Sequence, residues 1–297
     1  MRRRLELPSL GLGTAPLAGL YDAVDEETAR AVLARAWELG IRYFDTSPYY
    51  GSGLAERRLG AALRDRPRDE FVVSTKVGRL LRPGRSDFEG APALEAYFDF
   101  SRDGVLRSLD ESLERLGLDR VDVVLVHDPD NHHEQARDEA FPALLQLRDE
   151  GVVRAVGAGM NQSEALSRFA REVDVDCFLL AGRYTVLDRG GAEELLPLCE
   201  ENRIAVIAGG VFNSGVLAGG TTYDYAPAPP HVLERVEQLR ATCARWDVPL
   251  EAAAVQFPLR HPAVASVLVG CRMPAQVDED VRLSAVGVPD GLWAELA

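Results

Sequence analysis

The chain has 297 residues, 46% of them hydrophobic and 27% charged, with a formal net charge of −14. This composition suits one large α/β domain or two ordinary ones. The acidic balance, with no Lys/Arg-rich block, argues against a nucleic-acid-binding face, and no apolar run approaches the length of a membrane span.

Met1-Arg2-Arg3-Arg4 opens like the basic start of a signal peptide, but Glu6, Pro8 and Ser9 come directly after it, so no apolar core develops. Cys177, Cys199, Cys243 and Cys271 are scattered, with neither CxxC nor zinc-type spacing. They read as reduced core thiols of a cytoplasmic protein.

In chain order, short apolar runs alternate with amphipathic segments. Residues 9–14 (SLGLGT) predict a strand. Over 26–39, Ala29, Val32, Leu33, Ala36 and Trp37 share a helix face that stops at Gly40. Residues 41–46 predict a second strand through Ile41, Tyr43 and Phe44, interrupted by the acid Asp45. A Ser47-Pro48 turn leads on to Tyr49, Tyr50 and a Gly-Ser-Gly loop, then to a helical pattern over 54–64. The strand 71–75 (FVVST) ends at Lys76. The next loop, to about residue 102, carries Arg79, Arg82, Arg85, Tyr97 and Phe98. A loop of that length is expected to be a functional lid or disordered.

A helix over 103–116, with Leu106, Leu109, Leu113 and Leu116 on one face, precedes the strand 121–126 (VDVVLV), which ends at His127. Further strands are predicted at 152–158, 176–182, 204–210 and 266–270, and helices at 138–150, 163–172, 191–202, 231–246 and 250–260. Several strands are nearly continuous in apolar residues, as in a parallel sheet covered on both faces.

This rhythm of about eight β/α units predicts a (β/α)8 TIM barrel, a fold typically about 250 residues long, as a single domain over 1–297. A doubly wound sheet is the rival, and its GxGxxG fingerprint belongs after the first strand. Here Gly11-Leu12-Gly13 runs into Thr14-Ala15-Pro16, without the third glycine. The chain shows no linker-like break, low-complexity segment or repeat beyond the β/α rhythm.

Barrel active sites form where strands end. Three successive strands deliver Asp45, Lys76 and His127 to one rim, with Tyr50 on the loop between them. Taken singly, the lysine reads as solvated and the histidine as a hydrogen-bonded structural residue. Their convergence favours chemistry. A free phenol has a pKa near ~10, and a neighbouring ammonium favours its phenolate. The aspartate can orient the lysine, and the histidine can hold a substrate oxygen. Such a set suits proton transfer at a carbonyl or alcohol oxygen, coupled to hydride exchange with a cofactor.

The segments GLGT, GIRYFDTSPYYGSGLAERRLG, VVSTKVG, SLERLGLDRVDVVLVHDPD and SVLVGCRMPAQVDED resemble the aldo-keto reductase superfamily over nearly the whole chain. The resemblance implies a (β/α)8 barrel that binds NADP or NAD without a Rossmann motif. It implies a catalytic tetrad of Asp45, Tyr50, Lys76 and His127, with Tyr50 chosen because it immediately precedes Gly51. For the cofactor it implies Gly13, Thr14, Asn161, Phe212, Asn213, Ser214, Gly215, Gly270, Arg272, Gln276 and Asp280, with Arg272 able to meet a 2′-phosphate. The chain departs from the family pattern in several places. It reads Gly159-Met160-Asn161 where many relatives have Ser-Asn, and Ala181 where they have glutamine. Gly209-Gly210 replaces an aromatic stacking residue, and Asp280 stands where asparagine is common.

The stretches KVGRLLRP, HDPD, GAGMNQ, LAGRYTVLD and GGVFNSGVLAGG resemble the branch of aldose, L-fucose and galactose dehydrogenases, with pyridoxal 4-dehydrogenase nearby. That implies oxidation of an aldose at C1 to the lactone. Tyr49, Asp128 and Arg183 are candidate substrate contacts, alongside Asp130 and Tyr184. The expected partner is a small sugar or aldehyde, with no nucleic acid or membrane, in a monomer or small homo-oligomer. Two rivals stand. The cluster HDPDNHHE, with His127, His132 and His133, could mark a metal-dependent barrel hydrolase, although no HxH comes after the first strand, and the preferred reading has no metal. The other rival is a non-catalytic nucleotide-binding module on the same fold.

Overall fold

A computed structural model of the chain describes residues 5–20 and 22–296; the arginine run at 1–4 lies outside them. Eight parallel strands close into a barrel in chain order: β1 (Leu10–Gly13), β2 (Tyr43–Asp45), β3 (Val72–Val77), β4 (Val123–His127), β5 (Ala155–Met160), β6 (Cys177–Ala181), β7 (Ala205–Gly209) and β8 (Val264–Val269). β8 pairs with β1 and completes the ring, which removes both sheet edges. The eight predicted strands are therefore the eight barrel strands, with ends displaced by a few residues.

Side chains alternate between the two faces of each strand, and the register decides which of them meet. Asp45 lies opposite Ser74, Lys76 opposite Leu125, and His127 opposite Gly159. Tyr43, Val123, Leu125, Ala155, Cys177, Leu179, Ala205, Ile207 and Leu268 pack together as the barrel's interior. Gly11 makes room there, since a Cβ at that position would sit 2.7 Å from the Tyr43 ring. A larger apolar layer fills the space between the strands and the surrounding helices.

Helices α1 (Glu26–Glu38), α2 (Leu54–Leu63) and α3 (Arg102–Leu116) match the predicted pattern. Ser101 caps α3 by accepting from Gly104 N at 3.0 Å, and Gly117 ends it at φ +63°. The buried face of α3 is rotated from the leucine stripe expected. It runs through Val105, Ser108, Leu109, Ser112 and Leu116, leaving Leu106 and Leu113 half-buried. Close packing against α2 explains the rotation, because a Cβ on Gly60 would lie 2.0 Å from the Leu116 carbonyl oxygen.

The long loop after Lys76 is a structured hairpin, in which Arg79–Pro83 pairs antiparallel with Leu94–Phe98. A second, smaller hairpin (Thr222–Tyr223 with Ala226–Pro227) stands after β7. Helices Pro274–Ser284 and Asp290–Leu296 come after β8. Among the described residues, no helix is long and apolar enough to cross a membrane. All four cysteines are free and buried.

Candidate active site

Asp45, Lys76 and His127 are all buried at the same end of the barrel. Lys76 Nζ donates to Asp45 Oδ2 at 2.6 Å and to the Thr46 carbonyl at 3.0 Å. Asp45 Oδ1 accepts from Ser74 Oγ at 2.7 Å, and Ser74 Oγ lies 3.0 Å from the Tyr43 hydroxyl. Because the Ser74 proton goes to the carboxylate, Tyr43 is the donor of that second bond. A chain of buried hydrogen bonds thus holds the acid from inside the barrel. Ser74 and Lys76 are two residues apart on one strand and share a face, which is the signal that marks Ser74, a residue not singled out from the sequence.

Tyr50 reaches this group through a tight turn. Gly51, Ser52 and Gly53 all adopt left-handed backbone, at φ +58°, +51° and +82°. A Cβ on Gly51 would lie 2.6 Å from Ala18, so only glycine fits there. The turn places the Tyr50 ring with its centroid 4.6 Å from Lys76 Nζ and 5.9 Å from the His127 ring. The Tyr49 ring lies equally near His127, at 6.0 Å, but its polar end is engaged elsewhere. Its hydroxyl donates to Asp87 at 3.1 Å and its ring packs edge-on against Phe88.

Burial pushes the Tyr50 phenol up to about 12, against the downward pull of Lys76. The lysine thus acts in the expected direction but is outweighed. Burial also pulls the Lys76 ammonium down, yet Asp45 and then Tyr50 more than reverse this and hold it above the ordinary lysine value. His127 is held well below its usual value by burial, then by the Arg79 and Lys76 cations, so it is neutral at pH 7. Ser47 Oγ sits 3.0 Å from His127 Nδ1 and itself accepts from Tyr49 N at 3.1 Å. The Ser47 proton is therefore assigned to Nδ1, which leaves Nε2–H as a donor. Asp128 Oδ2, 3.7 Å from Nε2, favours the same tautomer. Ser47 is a second site residue that the sequence reading did not single out.

The tetrad end opens into a cavity of about 780 Å3 whose wall runs from Asp45 and Tyr50 to Asp280 and Leu283. Every residue expected to touch cofactor lines it except Thr14. Thr14 N–H and its hydroxyl both donate to the Asp45 carbonyl at 2.9 Å, so it fixes the end of β2 instead. Asn213, Ser214 and Gly215 are consecutively left-handed, at φ +46°, +58° and +96°. The Asn213 side chain is occupied, accepting from Thr185 at 2.6 Å and donating to the Gly182 carbonyl at 3.0 Å. At the far end Gln276 Oε1 accepts from the backbone of Arg272 at 2.7 Å and Met273 at 3.2 Å. Arg272 pairs with Asp22. Asp280 accepts from Cys271 Sγ at 3.2 Å, and burial raises its carboxyl to about 6.

Arg183, expected at the substrate, lines neither this cavity nor the smaller one beside His127. It makes a two-pronged pair with Asp224, at 2.8 and 2.9 Å, joining the loop after β6 to the small hairpin. Asp128 does line the smaller cavity and pairs there with Arg79. The histidines of the suspected metal cluster have other neighbours. His133 bonds Glu172 at 2.8 Å and stacks on Phe169, while His132 lies against Phe98 and Phe100.

The family model described as "Aldo/keto reductase family" matches residues 9–296. The D-threo-aldose 1-dehydrogenase of a Pseudomonas species is 47% identical over an alignment of 309 residues that covers 99% of this chain and 94% of that protein. The pyridoxal 4-dehydrogenase of Microbacterium luteolum is 42% identical, with 99% and 94% covered. The solved holo form of an aldo-keto reductase from Bacillus halodurans superposes with a TM-score of 0.78 at 27% identity, over 99% of this chain and 95% of that one. A barrel of this order and a match that spans its whole length make the chain a member of the aldo/keto reductase family, an oxidoreductase that works with a nicotinamide cofactor.

Proposed function

We propose that the protein oxidises a free aldose at C1 to the lactone, with Tyr50 as the group that takes the hydroxyl proton. The observation that carries this reading is half-buried Tyr50 against the buried Lys76–Asp45 pair and neutral His127, with Tyr50 and Asp45 on the cavity wall. Asp45 keeps Lys76 charged and pointed at Tyr50, and the ammonium stabilises the phenolate as the proton leaves the sugar. His127 Nε2–H donates to the same sugar oxygen and sets its direction. The name of the 47%-identical relative, D-threo-aldose 1-dehydrogenase, supports the substrate class.

The cavity fits a nicotinamide dinucleotide. Asn161 lies on the wall shared by both cavities, and its side chain has no hydrogen-bond partner among the described residues; we assign it to the carboxamide. Within the left-handed run Asn213–Ser214–Gly215, the Asn213 and Gly215 N–H groups donate to the Gly210 and Phe212 carbonyls, so it is Ser214, by its N–H and its hydroxyl, that suits the pyrophosphate on this wall. When bound, the nicotinamide supplies the hydride acceptor. Asp280 suits the adenine amino group. Asp22 on Arg272, with Glu279 and Asp280 on the same wall, disfavours a 2′-phosphate, so NAD is preferred over NADP.

The test is a panel of aldoses and pyridoxal with each cofactor, read as absorbance of the reduced nicotinamide at alkaline pH. Oxidation of an aldose with NAD is expected. Turnover of pyridoxal but of no aldose would overturn the sugar assignment and leave the oxidoreductase standing, as the name of the 42%-identical relative would then suggest.

A further inference from the structure

The smaller cavity, of about 270 Å3, has walls from three segments, one of them Asn161 and Gln162 after β5. Arg79 and Phe98 come from the hairpin after β3, and Asp128, Asp130 and His132 from the turn after β4. Asn161 joins it to the larger cavity, and Asp128 is the next residue after catalytic His127. This space thus adjoins the place where a substrate would lie between Tyr50 and His127.

Its chemistry is specific. Asp128 has φ +46°, a conformation uncommon outside glycine, which turns its carboxylate back beside His127. One carboxylate oxygen takes Arg79; Oδ1 has no hydrogen-bond donor among the described residues. The Arg79 guanidinium is held between two rings, 4.3 Å above Tyr49 and 4.8 Å above Phe98, and its buried Nε–H has no acceptor. Phe98 stacks on Phe100 at 5.6 Å and carries Arg79 over its ring, and its remaining 45% exposed surface gives the cavity an apolar aromatic edge beside these polar groups. A carboxylate that accepts, a guanidinium that donates and an aromatic edge match a sugar ring, with its hydroxyl edge and its C–H face. Asp128 and Asp130 repel phosphorylated or carboxylated ligands.

We propose that Arg79, Asp128 and Phe98 form the subsite for adjacent ring hydroxyls remote from C1, and so select neutral cyclic sugars over short or anionic aldehydes. This rests on the aldose reading above. The alternative is a clasp, with the Arg79–Asp128 pair merely fastening the hairpin to the rim.

The experiment compares kcat/KM for the best aldose and its single-deoxy analogues, at saturating cofactor, in the wild type, Asp128→Asn and Arg79→Lys. In the wild type, one deoxy analogue is expected to lose about 10–100-fold, the size of a hydrogen bond to a charged group. In Asp128→Asn that particular penalty shrinks to about threefold or less, while penalties at the other positions persist, as for any directly coupled pair. Equal penalties in wild type and variants, or a uniform loss on every sugar, would overturn the subsite and favour the clasp. A wild type that oxidises no aldose removes the aldose reading and the subsite with it. Should neither polar variant fold, Phe98→Leu carries the test. It must lower kcat/KM for the aldose at least about fivefold more than for glycolaldehyde reduction, and an equal effect on both overturns the proposal.

Discussion

Replacing Lys76 by methionine separates the lysine's structural role from its chemical one. Lys76 is 1% exposed, and without it Asp45, at 2% exposed, keeps only the Ser74 bond to Oδ1 at 2.7 Å. Deleting one partner of a buried pair costs about 3–5 kcal/mol. Unfolding entropy of roughly 2.1 cal/mol/K per residue amounts to about 0.6 kcal/mol/K here, so the Tm falls by about 5–8 °C. The double variant Asp45→Asn/Lys76→Met removes both charges and keeps an acceptor for Ser74. Its stability should return to within about 1 kcal/mol of wild type, as replaced buried pairs often do. Its activity should not return, because Tyr50 still lacks the cation beside it. Both variants should turn over at least about 100-fold more slowly. Thermal and urea unfolding give the first comparison and initial rates the second. A double variant that melts no higher than Lys76→Met would refute the charge-pair argument.

The same geometry sets other outcomes. Tyr50→Phe should lower turnover by about 10²–10⁴-fold with cofactor binding retained, as fluorescence titration would show, and near-normal rates would make Tyr49 the next candidate. Since burial holds Tyr50 near 12, the phenol keeps its proton at neutral pH. Aldehyde reduction should therefore decline, and aldose oxidation rise, as pH moves through the alkaline range; Lys76→Met should shift both limbs to higher pH. Asp22→Asn frees Arg272 and should raise the NADP-to-NAD ratio of kcat/KM, an effect that Arg272→Ala must abolish. Arg183→Ala and Asp224→Ala should weaken cofactor binding by equal, non-additive amounts, and additive losses would show that their bidentate pair does not tie the loops together.

The barrel was legible in the chain because its signals are local. Strands such as VDVVLV and one-sided helical patterns such as 26–39 report their own burial, and only one common fold takes eight β/α units in this length. Asp45, Lys76 and His127 were legible for the same reason. A charged or titratable side chain at the end of an apolar parallel strand is carried to the rim wherever the rest of the chain goes. Tyr50 was legible through its neighbour Gly51, whose left-handed backbone the turn requires.

What escaped the sequence depends on distant residues meeting. Ser74 faces Asp45 only through the register of β2 against β3, and Ser47 meets His127 across 80 residues. The loop after Lys76 carried no hairpin signal, because Arg79 pairs with Phe98 across a wide span rather than through a tight turn. Thr14 and Arg183 were expected at ligands, but the packing of neighbouring loops gave them nearer acceptors in the Asp45 carbonyl and Asp224. The phenol's acidity has the same origin. Sequence proximity to a lysine strand argues for a lowered value, yet desolvation is a property of the assembled barrel, and it outweighs the ammonium. Residue type and periodicity select the fold and bring the titratable groups to one rim, while register, loop packing and burial set which partner each group has and which protonation state it holds.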